Sequence, residues 1–115
     1  VADLADWDPG EARWDAIVSI WAHLPPPIRA ALHRRVVNAL APGGLLLLEA
    51  YTPEQMALGS GGPPSAAMMM TPEGLRSELT GLAFERLEAL ERDVAEGRYH
   101  QGRSAVVQAV ARKPA

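Results

Sequence analysis

The chain contains no cysteine. That excludes disulfides, thiolate catalysis and cysteine-based zinc sites, and it removes the usual mark of an oxidising compartment, so the cytoplasm is the default setting. Grouped positive charge is also missing. The formal net charge is −3 and the pI is near 5.6, whereas binding a phosphate backbone needs clustered Lys and Arg, so nucleic acid is not an expected partner. One small basic group, Arg29 with Arg34 and Arg35, reads as a solvated helix face. No apolar run approaches the ~20 residues of a membrane helix, and the opening Val-Ala-Asp-Leu-Ala-Asp lacks the basic-then-apolar pattern of a signal peptide. No membrane partner is expected. That opening also lacks an initiator Met and reads like mid-domain sequence, which points to a fragment.

What is present suits a small folded α/β protein. The 115 residues allow one domain, 48% of them are hydrophobic, and the aromatics are few: Trp7, Trp14, Trp21, Tyr51, Phe84 and Tyr99. Asp8-Pro9-Gly10 is a turn signal, a pre-set φ followed by a permissive glycine. Residues 15 to 21 then form a compact apolar run rich in β-branched side chains, the mark of a buried strand. Pro25-Pro26-Pro27 cannot lie inside a strand but suits the first turn of a helix, which the spacing of Ile28, Leu32, Val36 and Leu40 carries to about residue 40. Arg29, His33 and Arg34 fall on its other, water-facing sides. Ala41-Pro42-Gly43-Gly44 ends the helix, with a glycine available for a left-handed cap. Leu45 to Thr52 follow as a second strand. Its first four residues show no polar alternation, as expected when helices cover both faces. Strand, helix and strand in this order imply a right-handed parallel crossover.

Residues 53 to 70 are too rich in glycine and proline for regular structure, and a flexible loop is expected over 57–70. Met68-Met69-Met70 closes it, either as an adaptable lid over an apolar ligand or as a hydrophobic staple for the next helix. Thr71-Pro72-Glu73 supplies a hydroxyl cap, proline at the first helical position and an acid against the helix dipole. Leu75, Leu79 and Leu82 give that helix its buried stripe, and Gly81 is its expected end. Beyond it periodicity is ambiguous, because Leu87, Leu90 and Val94 could prolong the helix. The run Ala105–Val110 is a clear strand, however, and the turn over residues 97–102 gives it residues 84–94 as partner in a terminal antiparallel hairpin.

Three segments together resemble class I S-adenosylmethionine-dependent methyltransferases, particularly the small tellurite-resistance-like branch. They are Val1-Ala2-Asp3-Leu4, Trp14 to Pro25, and Leu40-Ala41-Pro42-Gly43-Gly44-Leu45 running into Glu49-Ala50-Tyr51. The resemblance covers nearly the whole chain and implies an α/β fold. That fold is the C-terminal half of a Rossmann-like methyltransferase sheet: strand-helix-strand-helix followed by an antiparallel terminal hairpin, in a single partial domain of residues 1–115. It implies S-adenosylmethionine as cofactor. Asp3 would accept from the adenine amino group and Leu4 would offer its backbone N–H to the ring, while Ser19, Ile20 and Trp21 would line the pocket near the methionine part. The family's glycine-rich loop and ribose-binding acid belong to a region that precedes these segments, and neither is present in these residues. Gly59-Ser60-Gly61-Gly62 is no substitute, since prolines follow it where a helix should open.

Methyl transfer needs an acceptor held in line with the methyl group and, where the acceptor carries a proton, a base within reach. His23, Tyr51 and His100 are the candidates, each as readily a packing or solvated side chain. No histidines at i, i+4 spacing or with a supporting carboxylate suggest a metal. The expected function is methyl transfer to a small-molecule acceptor, completed by an N-terminal half-domain. Two alternatives are a non-catalytic assembly module and half of a nicotinamide-dependent oxidoreductase. With its first strand uncovered and Ile17, Ile20, Leu46 and Leu48 left as an apolar patch, the chain is expected to self-associate or to pair with that N-terminal half.

Overall fold

The computed structural model describes residues 7–58, 65–95 and 101–115. Strand β1 (Trp14–Ile20), helix α1 (Pro26–Ala39), strand β2 (Leu40–Tyr51), helix α2 (Pro72–Glu78) and strands β3 (Ala83–Ala95) and β4 (Gln101–Arg112) follow in order. They form one four-stranded sheet of order β1-β2-β4-β3. The β1/β2 pair is parallel, and the β2/β4 and β3/β4 pairs are antiparallel. The α/β class, the parallel pairing of the two strands joined by α1, and the terminal hairpin are as the residue pattern implies.

Three local details differ from expectation, each for a physical reason. The helix α1 stops at Ala39 with Leu40 already extended, so no glycine caps it. Gly43 uses its left-handed φ of +80° three residues later, in a bulge that separates the Trp14↔Leu40 and Ala16↔Leu45 pairs. Gly44 is needed there for closeness, because a Cβ would stand 2.8 Å from the Ala41 carbonyl oxygen and 3.0 Å from that of Trp14. Helix α2 is shorter than its leucine stripe. Thr71 caps it by accepting the Gly74 N–H at 3.0 Å, but it ends at Glu78, and Gly81 (φ +104°) instead turns the chain into β3. The segment before α2 is not wholly irregular: Pro53–Ala57 and Ala66–Met68 are short 3₁₀ turns, and Met69 and Met70 are buried. Residues 59–64 of the expected loop lie outside the described residues.

Both helices pack on one face of the sheet. Leu46, Leu48 and Ala50 of β2 and Val107, Ala109 and Ala111 of β4 meet Leu32, Val36, Leu75 and Leu79 in the main core. The opposite face carries Val18, Ile20 and Leu47, which are 62, 45 and 37% exposed. Coverage of the Leu45–Leu48 run on both faces is therefore not found among the described residues. The bare patch is also not the set of Ile17, Ile20, Leu46 and Leu48 that the sequence suggested, since side chains alternate across a strand and Leu46 and Leu48 point into the core.

Candidate functional site

Open α/β sheets bind ligands at the carboxyl ends of their parallel strands. Here those ends are Ile20-Trp21 and Tyr51-Thr52. Trp21 lies just past β1 with φ +55°, its N–H donating to the Glu49 carbonyl at 3.0 Å. A bulky residue holds such a backbone only where its surroundings over-determine it, and strain of this kind gathers at functional sites. Its ring stacks on Tyr51 at 4.6 Å between centroids, and the His23 ring lies 5.4 Å from Tyr51 and 6.5 Å from Trp21. The three planes agree within 16–22°. Tyr51 is buried beneath this group, packed with Met69 and Val106 and flanked by Leu90.

His23 is held by a definite bond. Its Nε2 accepts the Tyr51 backbone N–H at 2.9 Å, which requires that nitrogen to be unprotonated and engages its lone pair. In this arrangement His23 ties the exit of β1 to the end of β2, and Nε2 is not poised as a base. Tyr51, a candidate that reads as readily as a packing aromatic, is fully buried.

On the bare face beside Trp21, Glu49 gathers three donors. Arg92 reaches it in bidentate fashion, Nε to Oε2 at 2.8 Å and Nη2 to Oε1 at 2.6 Å, and Gln108 Nε2 donates to Oε2 at 2.8 Å. The register explains the meeting: Glu49 lies opposite Gln108 across β2/β4, and β3 is the next strand. The Arg92 guanidinium also stands 6.0 Å from the Trp21 ring centroid. Next to this network an open depression of about 230 Å³ is lined by Ile20, Leu47, Glu49, Arg86, Gln108 and Val110, among others.

On the covered face a second ion cluster joins the helices. Arg29 of α1 grips Glu78 at the end of α2, with Nε 3.0–3.1 Å from both carboxylate oxygens and Nη2 2.8 Å from Oε2, and His33 Nδ1 lies 2.8 Å from Oε1. Burial pushes the imidazole below its ordinary range, against the raising influence of Glu78, so the neutral ring donates Nδ1–H to the carboxylate. Arg29 and His33, read as water-facing in sequence, are thus inward groups, because α2 returns a carboxylate to that side of α1. A depression of about 540 Å³ between α1 and α2 is lined by Arg34, Asn38, Ser77 and Thr80, among others, and includes none of the strand-end residues.

Of the residues singled out in the sequence, the structure brings together Trp21, His23 and Tyr51. Ser19 pairs with Leu48 and is half-buried on the helix-covered side, and Ile20 is exposed on the bare face. Asp3, Leu4 and His100 lie outside the described residues. Glu49 and Arg92 were not singled out as site residues, whereas Met69 belongs to the Met68-Met69-Met70 run read as a lid or a staple. A lone acid closing an apolar run was the available signal for Glu49, whereas Arg92 carries none without the strand register. Among the described residues no group of three His, Asp or Glu side chains could hold a metal ion, and no helix is long and apolar enough to cross a membrane.

No family model matches the chain, and no curated protein matches it in sequence. Its fold is nevertheless shared with solved methyltransferases. A SAM-dependent methyltransferase from Methanosarcina mazei superimposes with TM-score 0.68 at 14% identity, over 98% of this chain and 65% of that one. TehB from Haemophilus influenzae gives 0.69 at 16% identity, over 98% and 40%. The Burkholderia thailandensis 1,6-didemethyltoxoflavin-N1-methyltransferase, with 1,6-didemethyltoxoflavin and S-adenosylhomocysteine bound, gives 0.63 at 19% identity, over 99% and 49%. The chain thus spans about half the length of the first structures it matches. At these identities the likeness establishes the fold, a four-stranded mixed sheet with two helices.

Proposed function

We propose that this chain is the C-terminal half of a class I S-adenosylmethionine-dependent methyltransferase domain that acts on a small-molecule acceptor in the cytoplasm. The observation that carries the reading is the sheet itself. Two parallel strands joined by α1, followed by α2 and an antiparallel hairpin whose last strand inserts beside β2, superimpose over nearly the whole chain on proteins of that activity. The bare face with Val18, Ile20 and Leu47 supports the half-domain part, since a soluble domain seldom leaves such a patch open. An N-terminal half would cover it and add strands beyond β1; a second copy of the chain is the other cover.

The described residues fit the cofactor in one respect. The exposed side chain of Ile20 and the half-buried ring of Trp21 give an apolar wall at the end of β1, of the kind an adenosine or thioether moiety packs against. Asp3 and Leu4 are proposed to read the adenine edge, and Ser19 with Ile20 and Trp21 to line the pocket near the methionine part, as the resemblance implies. Bound there, the cofactor would supply an electrophilic methyl group. The chain's own part is then to shape the wall and exclude water, with His23 and Tyr51 fixing Trp21, and with His100 as the remaining candidate for proton transfer. Calorimetric titration with S-adenosylhomocysteine tests this, run on the 115-residue chain and on the product of its complete gene. Binding by the longer product with little or none by the chain alone is expected. Binding by neither refutes the cofactor, and low-micromolar binding by the chain alone refutes the half-domain.

A further inference from the structure

We infer that Arg29 is the positioning residue of the strand-end site: oriented by Glu78 and His33, its guanidinium clamps the backbone at Ala67 and Met69 and so seats Met69 beneath Trp21 and Tyr51. The inference takes the strand ends as the site, and so rests on the methyltransferase reading, but its observations are independent of any ligand.

Arg29 stands at the fourth position of α1, where the helix begins directly after the Trp21–Leu24 segment. One side of its planar fork is committed to Glu78 through Nε and Nη2. The remaining amino group, Nη1, faces the segment before α2 and donates to two main-chain carbonyls, Ala67 at 2.9 Å and Met69 at 3.3 Å. The next peptide is held from the opposite side, since the Met70 N–H donates to the Tyr51 carbonyl at 2.9 Å. The Met69–Met70 link is therefore gripped between α1 and the end of β2. With its backbone fixed at both ends, the Met69 side chain is only 4% exposed and packs against Tyr51 and Val106, with Trp21 and Leu90 alongside.

The choice of residue follows from geometry. A lysine in this place would offer a compact charge, whereas the guanidinium presents separate donors in fixed directions to a carboxylate and to a pair of carbonyls. His33, one helical turn further along α1, holds the other face of the carboxylate and keeps the fork from rotating away. What the clamp delivers is the support that a left-handed Trp21 requires. Its N–H is bonded to the Glu49 carbonyl and its ring stacks on Tyr51, which Met69 in turn packs against.

The test uses the 115-residue chain without ligand, so its failure is separate from any failure of cofactor binding. Arg29→Met keeps an unbranched stem and removes every guanidinium donor. Amide exchange at Met70 should accelerate by about tenfold or more while Leu46 and Leu48 in the core keep their protection. The fluorine resonance of Trp21, in chain labelled with 5-fluorotryptophan and distinguished from Trp7 and Trp14, should shift in the same variant. Arg29→Lys should reproduce both changes, because the charge alone cannot span Glu78 and two carbonyls, and it carries the test should Arg29→Met fail to fold. An unchanged Trp21 resonance overturns the proposal. So does exchange that rises equally at Met70, Leu46 and Leu48, which would mark Arg29 as a contributor to overall stability only.

Discussion

The Glu49–Arg92–Gln108 network beside Trp21 should be strongly coupled, and a double-mutant cycle measures it. The side chains of Arg92 and Glu49 are 27 and 11% exposed, so the pair is largely desolvated yet not sealed. Arg92→Met keeps the aliphatic stem across Trp21 but leaves the Glu49 carboxylate with one neutral donor, Gln108. Breaking a fully buried pair costs roughly 3–5 kcal/mol; the residual hydrogen bond and partial exposure bring the expected loss to about 2–3 kcal/mol. Glu49→Gln leaves the more exposed partner with an amide acceptor and should cost about 1–2 kcal/mol. The double variant should lose less than the sum, by a coupling of about 1–2 kcal/mol, since neither charge is then stranded. Urea unfolding at pH 7 and one fixed protein concentration gives the four stabilities, the concentration being held because self-association would add to each. A coupling indistinguishable from zero would show that the pair behaves like an exposed surface bridge, and the burial argument would fall.

Stability should also depend on His33. Its folded pKa is depressed by burial, so the unfolded chain binds the proton more readily; stability is complete above the ordinary imidazole range and falls as pH drops through it, and His33→Gln should flatten that slope in urea titrations between pH 5 and 8. A slope that survives the substitution refutes the assignment. At Trp21 the backbone strain can be isolated from the ring: Trp21→Gly should be more stable than Trp21→Ala by about 1 kcal/mol, because only glycine adopts φ +55° freely, and equal stabilities would argue against strain. The purified chain should self-associate at micromolar concentration, and Val18→Lys combined with Leu47→Lys should leave it monomeric with an unchanged circular dichroism spectrum. A monomeric parent chain in sedimentation would refute this.

The elements were readable where local chemistry decides them. Proline at the first turn of both helices, the Thr71 cap and the β-branched or aliphatic runs of β1, β2 and β4 each act within a few residues, and all fall where the pattern puts them. The hairpin needed one non-local step. Leucine spacing through residues 75–94 suits a helix, and only the demand of β4 for a partner makes 83–95 a strand. Side-chain roles were less accessible. Arg29 and His33 read as solvated because Glu78, which brings them inward, lies 49 and 45 residues away. Arg92 meets Glu49 across 43 residues through two strand pairings, a distance over which no spacing rule operates.

The Leu45–Leu48 run was misread in a more informative way. An unbroken apolar stretch signals a strand covered on both faces, yet alternate side chains, those of Leu46 and Leu48, enter the core while Leu47 joins Val18 and Ile20 on a part of the other face left exposed among the described residues. Composition and structure can be reconciled if the run records the environment in which the sheet works. At about 25 cal/mol per Å² of apolar area, three partly exposed aliphatic side chains forgo a few kcal/mol that a cover would recover, a large share of the stability of a chain this size. Glu49, Arg92 and Gln108 share this face, and their mutual bonds leave the carboxylate neutralised and able to lie beneath a cover without an unpaired charge. Apolar positions on β1 and β2 and a neutralised polar group at the strand ends are thus the features that the proposed second layer would lie over, seated where it would also close the wall formed by Ile20 and Trp21.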